Sequence, residues 1–334
     1  MPVDRNRLYP VNTREWSSAR MKMKFWGARG SHPTPLLPHE VQNKISSVVQ
    51  RIKPADLESP ETRERFLAGL PGWLFGTIGG NTPCVEVLLS SRKRLILDGG
   101  SGIEELSRSM QRELRKPAEY HIFFSHFHYD HIQGLPFFSP AYDPAASVHF
   151  YSPAKNFEEI IRDQMRAPYF PITMSGKMSE HITFTVLNQM PVSIGGASIK
   201  WRPLNHPQGA YAYRIEEKGR VLIHATDVEL VEADFEKTDA NRTFFENANV
   251  LVLDTQYTLG EAIEKYNWGH SSFSLGVDFA HAWNISRLYL FHHEPLYNDQ
   301  KLYGNLQSAR WYANRLGKAS LEVYLSEEGN EVEI

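Results

Sequence analysis

Directly after the apolar run Ile122-Phe123-Phe124 comes Ser125-His126-Phe127-His128-Tyr129-Asp130-His131, three imidazoles and a carboxylate within six residues. Such groups are costly to bury unless each finds a charge or a hydrogen bond in compensation. Any fold this chain adopts must therefore end a strand here and let these side chains converge. His and Asp at this density form a metal-ligand set, not a packing pattern. Alternate side chains face opposite sides of a strand, so the expected geometry puts His126 and His128 on one face as the strand ends. A turn after His128 would carry Asp130 and His131 round to a second point nearby. One loop would then supply two neighbouring ligand sets, as a two-metal hydrolase requires.

The single cysteine, Cys84, rules out an internal disulfide, so any metal site must be built from His, Asp and Glu. With 334 residues, 41% of them hydrophobic, the chain can bury a large core. A net charge of -3 gives no bulk electrostatic case for binding a nucleic-acid polymer. No apolar stretch approaches the ~20 residues of a membrane-spanning helix. The first residues lack the apolar core of a signal peptide, so a cytoplasmic protein is expected.

Residues 1–20 are polar and without period and read as an extension; residues 21–334 form the expected domain. Val41, Ile45, Val48, Val49 and Ile52 fall at helical spacing, and Thr62 to Leu70 reads as a second helix. Residues 36–75 are thus expected to be a helical insertion between two strands. Further helices are expected over 103–115, 158–166, 272–283 and 299–316, with a loop over 174–180. Short apolar strands alternate with them, beginning with 21–26, 85–89, 95–97 and 122–124. The pattern is α/β, sheets covered by helices.

Three later strands repeat the opening arrangement. Ile199–Leu204 leads into Asn205-His206, Val221–Ile223 into His224-Ala225-Thr226-Asp227, and Leu288–Phe291 into His292-His293. Residues beyond one rim of a sheet can converge in space while far apart in sequence. A lone strand-end histidine is more often a buried or capped one, but four such sites together favour metal.

The ordered set His126-x-His128-x-Asp130-His131, His206, Asp227, His292 resembles the metal motifs of the metallo-β-lactamase fold superfamily. The resemblance runs from about Met21 to the C-terminus. It implies a four-layer αββα sandwich with a dinuclear site at one rim. By that likeness His126, His128 and His206 hold one divalent ion, and Asp130, His131 and His292 hold a second. Asp227 bridges the two, and His293 is the alternative to His292. Asp98 resembles the upstream aspartate that supports the ligand loop. The ions would be Zn, Mn or Fe, which the sequence does not choose among. Two ions sharing a water lower its pKa towards neutrality, so the resemblance implies a hydrolase, with a metal-bridging hydroxide as the attacking group and Asp130 in the catalytic set.

Gly269-His270-Ser271-Ser272 resembles the phosphodiesterase branch, which takes in cyclic-nucleotide and phosphoribosyl cyclic phosphodiesterases and transfer-RNA 3′-processing endonucleases. By that likeness His270 is a general acid for the leaving oxygen; the plainer alternative is a cap on the following helix. Gly27-Ala28-Arg29-Gly30-Ser31 and Gly79-Gly80-Asn81-Thr82 are similar to segments of the cyclic phosphodiesterases. They make Arg29 and Asn81 candidate substrate contacts, with a structural role for Arg29 as the alternative. No basic Gly-rich arm for gripping RNA is present, and Asp254-Thr255-Gln256 replaces the acidic motif of the transfer-RNA enzymes. The expectation is a small phosphodiester, a cyclic nucleotide first. A thioesterase, a lactonase or a transfer-RNA 3′-processing-like endonuclease is the alternative, and the branch leaves a homodimer open. Tyr257, Trp268 and Phe273 could form a base-stacking wall, although aromatics are more often core.

Overall fold

Every second residue of the central strands goes to a different core. In the computed structural model, Leu95 and Leu97 pack into one apolar cluster while Ile96 between them packs into another. Likewise Val250 and Val252 face one way and Leu251 and Leu253 the other. A strand buried on both faces reads as a continuous apolar run, because its two-residue period feeds two cores at once.

The structure describes residues 20–112, 119–174, 181–317 and 321–334. All of the expected 1–20 extension but Arg20 lies outside these residues, as does all of the expected 174–180 loop but Met174. In chain order the elements are β1 Lys22–Gly27, α1 Pro38–Val49, α2 Pro60–Ala68, α3 Gly72–Phe75, β2 Cys84–Leu88, β3 Arg94–Leu97, α4 Gly102–Arg112 and β4 Glu119–Phe123. Next come α5 Tyr129–Ile132, β5 Ser147–Ser152, α6 Phe157–Gln164, β6 Ile182–Val186, β7 Val192–Ile194, β8 Ala197–Leu204, β9 Ala210–Glu217 and β10 Arg220–Ala225. The chain finishes with α7 Glu232–Phe235, α8 Asp239–Phe245, β11 Val250–Asp254, α9 Leu259–Glu264, α10 Phe273–Ala282, β12 Arg287–Phe291, α11 Asp299–Arg315, β13 Glu322–Leu325 and β14 Glu331–Glu333. The segment between β1 and β2 carries α1 to α3, and Lys44 of α1 ties it to the Asp299 carboxylate at the start of α11.

The strands form two seven-stranded sheets, ordered β14-β1-β2-β3-β4-β5-β6 and β13-β12-β11-β10-β9-β8-β7. Phe25, Val85, Phe123, Trp201, Tyr213, Leu222, Tyr289 and Phe291 fill the space between the sheets. The outer face of the first sheet is covered by α4 and α6, through Ile103, Leu106, Phe157 and Ile161. On the second sheet α10 and α11 do the same through Val277, Phe279, Leu302 and Leu306. Helix, sheet, sheet and helix make the four-layer αββα sandwich.

Strand direction then fixes where the loops meet. β3 to β6 are mutually parallel, as are β10 to β13. β8 also runs with β10, since both are antiparallel to β9. Asp254 ends β11, and the loops after β3, β4, β8, β10 and β12 hold Asp98, His126, His206, Asp227 and His292, all at the same rim. Among the described residues no helix is long and apolar enough to cross a membrane.

Candidate metal centre

The ligand loop does not begin where the sequence pattern expected. β4 ends at Phe123, and although Phe124 N still donates to Tyr151 O, Ser125 N turns aside to donate to Asp98 Oδ1 at 2.7 Å. His126 and His128 therefore lie in irregular chain, not on one strand face, with their rings edge to face at 4.5 Å. The short helix α5 then folds Asp130 and His131 back against them. Asp98, Asp227 and His292, each just past a strand, adopt φ values of 63°, 56° and 60°. Non-glycine residues there cost on the order of 1 kcal/mol or more each and persist only where surrounding contacts impose them.

The seven expected ligands come together as two sets. His126 Nε2 lies 3.5 Å and His206 Nε2 3.7 Å from Asp227 Oδ2, and His206 Nε2 is 3.2 Å from His128 Nδ1. On the other side His131 Nε2 lies 3.2 Å and His292 Nε2 3.4 Å from Asp227 Oδ1. Asp130 Oδ2 closes that set, 3.4 Å from His131 Nε2 and 3.2 Å from His292 Nε2. Each oxygen of Asp227 thus faces one set. Within His126, His128, His206 and Asp227, and within Asp130, His131 and His292, one ligand atom per residue lies within 4.8 Å of the others.

Outer partners fix which ring nitrogen is left for a metal. His206 Nδ1 donates to Gly269 O at 2.9 Å, and His292 Nδ1 to Gln256 Oε1 at 3.0 Å. His126 Nδ1 donates to Ser125 Oγ, which itself donates to Asp98 Oδ2 at 2.8 Å. His131 Nδ1 donates to Asp98 Oδ2 at 3.0 Å, whereas His128 is reversed, with Nε2 on Gln208 Oε1 at 3.0 Å. The Nε2 atoms of His126 and His131 are buried without a hydrogen-bond partner. Buried nitrogens aimed at a shared carboxylate are what cation ligands look like, so the residues fit a pair of divalent ions.

The charges agree with that fit. Burial alone would push the Asp98, Asp130 and Asp227 carboxyls up, but the imidazoles around them outweigh it and hold all three below the usual carboxylate range. Burial pushes His126 and His206 down, leaving lone pairs for ligation. Burial also opposes a charge on His131, yet Asp227, Asp130 and Asp98 surround it and raise it well above an ordinary histidine. Three buried carboxylates demand compensating positive charge, which divalent ions can supply in place of that proton.

His270 stacks on His292 with ring centroids 4.8 Å apart and interplanar angle 16°, and its Nδ1 is 2.6 Å from Asp254 Oδ2. It does not cap the following helix; Ser272 does, accepting from Leu275 N. Burial would lower its pKa, but the Asp254 charge and hydrogen bond raise it to about 9. Arg29 and Asn81, expected at the substrate, are committed elsewhere. The Arg29 side chain is buried, donating to Gly79 O at 3.0 Å and Tyr297 O at 2.7 Å, with Asp299 Oδ1 at 3.5 Å. Asn81 Nδ2 donates to Glu328 Oε2, and Asn81 O accepts from Ala28 N and Arg29 N. Both residues brace the turn after β1 in this structure, the structural alternative for Arg29. That turn matters: Ser31 N donates to Asp130 Oδ2 at 2.8 Å, and a Cβ at Gly30 would stand 2.5 Å from His292 Cε1. His293 turns away, donating from Nε2 to Ser326 O at 2.9 Å, and His224 is buried behind the site, 3.7 Å from Asp98 Oδ2. Tyr257 is buried and Phe273 packs on the outer core, which leaves Trp268 as the exposed member of the aromatic trio.

Gln208 and Gln256 escaped the sequence reading because nothing in a glutamine's neighbours marks it as a histidine's partner. Asp254 carried a readable signal, being an acid at the end of an all-apolar strand. Asp98→Asn keeps every ligand but removes the charge behind His131. It is expected to weaken binding of one ion roughly ten- to a hundredfold, as isothermal titration of the metal-free protein would measure. Unchanged affinity for both ions would show that Asp98 only shapes the loop.

A sequence model of the family described as "Beta-lactamase superfamily domain" matches residues 93–293, more than half of the chain. No curated protein matches. Among solved structures, the metallo-β-lactamase fold protein YhfI from Bacillus subtilis is 16% identical, with a TM-score of 0.61 over 94% of this chain and 99% of its own. A diphosphatase from the PhnP family is 17% identical, with a TM-score of 0.60 over 94% and 98%. The short form of human tRNase Z is 16% identical, with a TM-score of 0.55 over 93% and 98%. At these identities the structures speak for the fold.

Proposed function

The chain belongs to the β-lactamase superfamily and has the αββα fold and His/Asp ligand sets of its metal-dependent hydrolases, and from that premise we propose a two-metal phosphodiesterase acting on a small phosphodiester, a cyclic nucleotide first. The observation that carries the choice of bond is the Asp254–His270 pair. A protonated imidazole stacked on His292 can deliver a proton beside the ligand sets; an expelled alkoxide needs one where the thiolate leaving a thioester does not, and the likeness of Gly269-His270-Ser271-Ser272 to the phosphodiesterase branch favours a phosphodiester over a lactone. Two of the similar structures bear names from phosphate chemistry, a diphosphatase and a tRNase, which agrees with this reading.

A pair of divalent ions, zinc, manganese or iron, would supply Lewis acidity, lowering the pKa of water and neutralising charge on the attacked phosphate. The rest falls to the chain. Asp227, with one oxygen toward each set, would serve both ions, and His126, His128, His206, His131, His292 and Asp130 would hold them. Asp254 orients His270 and keeps its proton at neutral pH, so that Nε2 can donate to the leaving oxygen. The net charge of -3 speaks against a polymeric nucleic acid and for a small substrate.

The test is a substrate panel with the zinc- and manganese-loaded protein: 2′,3′- and 3′,5′-cyclic nucleotides, bis(p-nitrophenyl) phosphate, an acyl thioester and an N-acyl lactone. Turnover of phosphodiesters, with at least one cyclic nucleotide among them, is expected. Thioester or lactone turnover with inert phosphodiesters would refute the proposal.

A further inference from the structure

We propose that Trp268 is a stacking platform for the nucleobase of the substrate, on the side of the site from which the leaving alcohol departs. The inference rests on the phosphodiesterase reading and gives its substrate class a recognition element.

Trp268 is tied covalently to the chemistry on its C-terminal side. It precedes Gly269, whose carbonyl accepts the His206 Nδ1 hydrogen at 2.9 Å, and it lies two residues before His270. Yet its indole is left 61% exposed, whereas Trp283 is fully buried in the outer core. Folding gains little from an indole in water.

The turn that displays it is clamped. The Glu229 carboxylate accepts from Asn267 N at 3.0 Å and from Gly269 N at 2.9 Å, gripping the residue on each side of Trp268. Glu229 is itself held by Asn205, the residue before ligand His206: Glu229 N donates to Asn205 O at 2.9 Å, and Asn205 Nδ2 to Glu229 O at 3.0 Å. Trp268 N donates to Lys265 O at 3.1 Å. Asn267 and Gly269 both adopt positive φ, 67° and 87°, and a Cβ at Gly269 would stand 2.3 Å from His206 Nδ1. The backbone that carries the indole is thus held beside His206 before any ligand arrives, which lowers the ordering cost of binding.

Contacts run inward from it as well. Lys265 Nζ lies 5.8 Å from the Trp268 ring centroid and 4.2 Å from that of Tyr257, and the Tyr257 ring is 5.8 Å from that of His270. Lys265 is part-neutralised by Glu294, with Nζ 3.7 Å from Oε2. A planar, uncharged, polarisable group is the ligand chemistry an indole beside a shielded cation favours, and every nucleobase has such a face. The platform is therefore expected to be tolerant of base identity.

Binding to the metal-loaded protein tests this without turnover. Adenosine 5′-monophosphate and ribose 5-phosphate share the phosphate and the sugar and differ in the base. Trp268→Ala is expected to raise the dissociation constant of the nucleotide by roughly tenfold or more. The same change should leave ribose 5-phosphate within twofold, and Trp268→Phe should retain most of the nucleotide affinity. Circular dichroism and metal content are matched across the variants. Equal weakening of both ligands, nucleotide binding indifferent to Trp268→Ala, or no nucleotide binding to the wild type overturns the platform. The two readings fail separately. Inert phosphodiesters with Trp268-dependent nucleotide binding would remove the phosphodiesterase alone, and active phosphodiester cleavage with Trp268-indifferent binding would remove the platform alone.

Discussion

Asp227→Ala is expected to cost the protein both tight ion binding and hydrolysis. Its two oxygens face one candidate ligand set each, Oδ2 lying 3.5 Å from His126 Nε2 on one side and Oδ1 3.2 Å from His131 Nε2 on the other. Removing them leaves one set with three histidines and no anion. Metal content by elemental analysis should fall from two ions per chain to one or fewer. Turnover should fall by on the order of 10³-fold, since the charge stabilisation lost is several kcal/mol and each 1.36 kcal/mol is tenfold in rate. Burial of Asp227 is nearly complete, so circular dichroism must first show a folded variant. A folded variant that keeps two ions and near-normal turnover would mean that the ions do not share this carboxylate.

His270→Ala should leave both ions bound while lowering kcat roughly 10²- to 10⁴-fold on substrates with a poor leaving group. With p-nitrophenolate as leaving group the loss should shrink to a few-fold, because that group departs without a proton. The pH profile carries the sign. The active form of His270 is the protonated one, and its pKa is raised from 6.5 to about 9. The rate should therefore be insensitive to this group well below its pKa, and fall as pH rises through it. Part of the elevation comes from Asp227 and Asp130, whose charge bound cations would offset, so the limb should lie below about 9 in the loaded enzyme. Asp254→Asn should move the limb further down while leaving metal content unchanged. A limb that stays put in Asp254→Asn would assign the titration to another group.

Much of this site could be read from the chain because metal ligation is a constraint on residue type. Imidazoles and carboxylates gathered just past apolar strands share one chemistry, the binding of a cation, and His126, His128, Asp130, His131, His206, Asp227 and His292 all stood in that position. The strand pattern was legible for a similar reason: Val250 to Asp254 is apolar until its final residue because both its faces are buried. Boundaries were less so. The strand pairing of β4 gives out short of the cluster because Asp98, just past the neighbouring strand β3, captures the Ser125 amide. Arg29 shows the limit of motif reading most clearly. A guanidinium satisfies a phosphate or a set of backbone carbonyls equally well, and only the fold shows that Gly79 and Tyr297 supply carbonyls to this one.

Legible in the chain alone are the candidate ligand inventory, the alternation that feeds two cores, and the buried charge of the opening cluster that must be compensated. Those follow from local chemistry, the desolvation cost of His and Asp and the two-residue period of a strand. Settled only by the fold are which nitrogen of each ring faces inward, the pairing of His270 with Asp254, the placing of His292 and not His293 beside Asp130 and Asp227, and the clamp on the turn that carries Trp268. Each of these depends on partners far away in the chain, and a residue's type fixes what it can bind but not which loop the sheet order brings beside it.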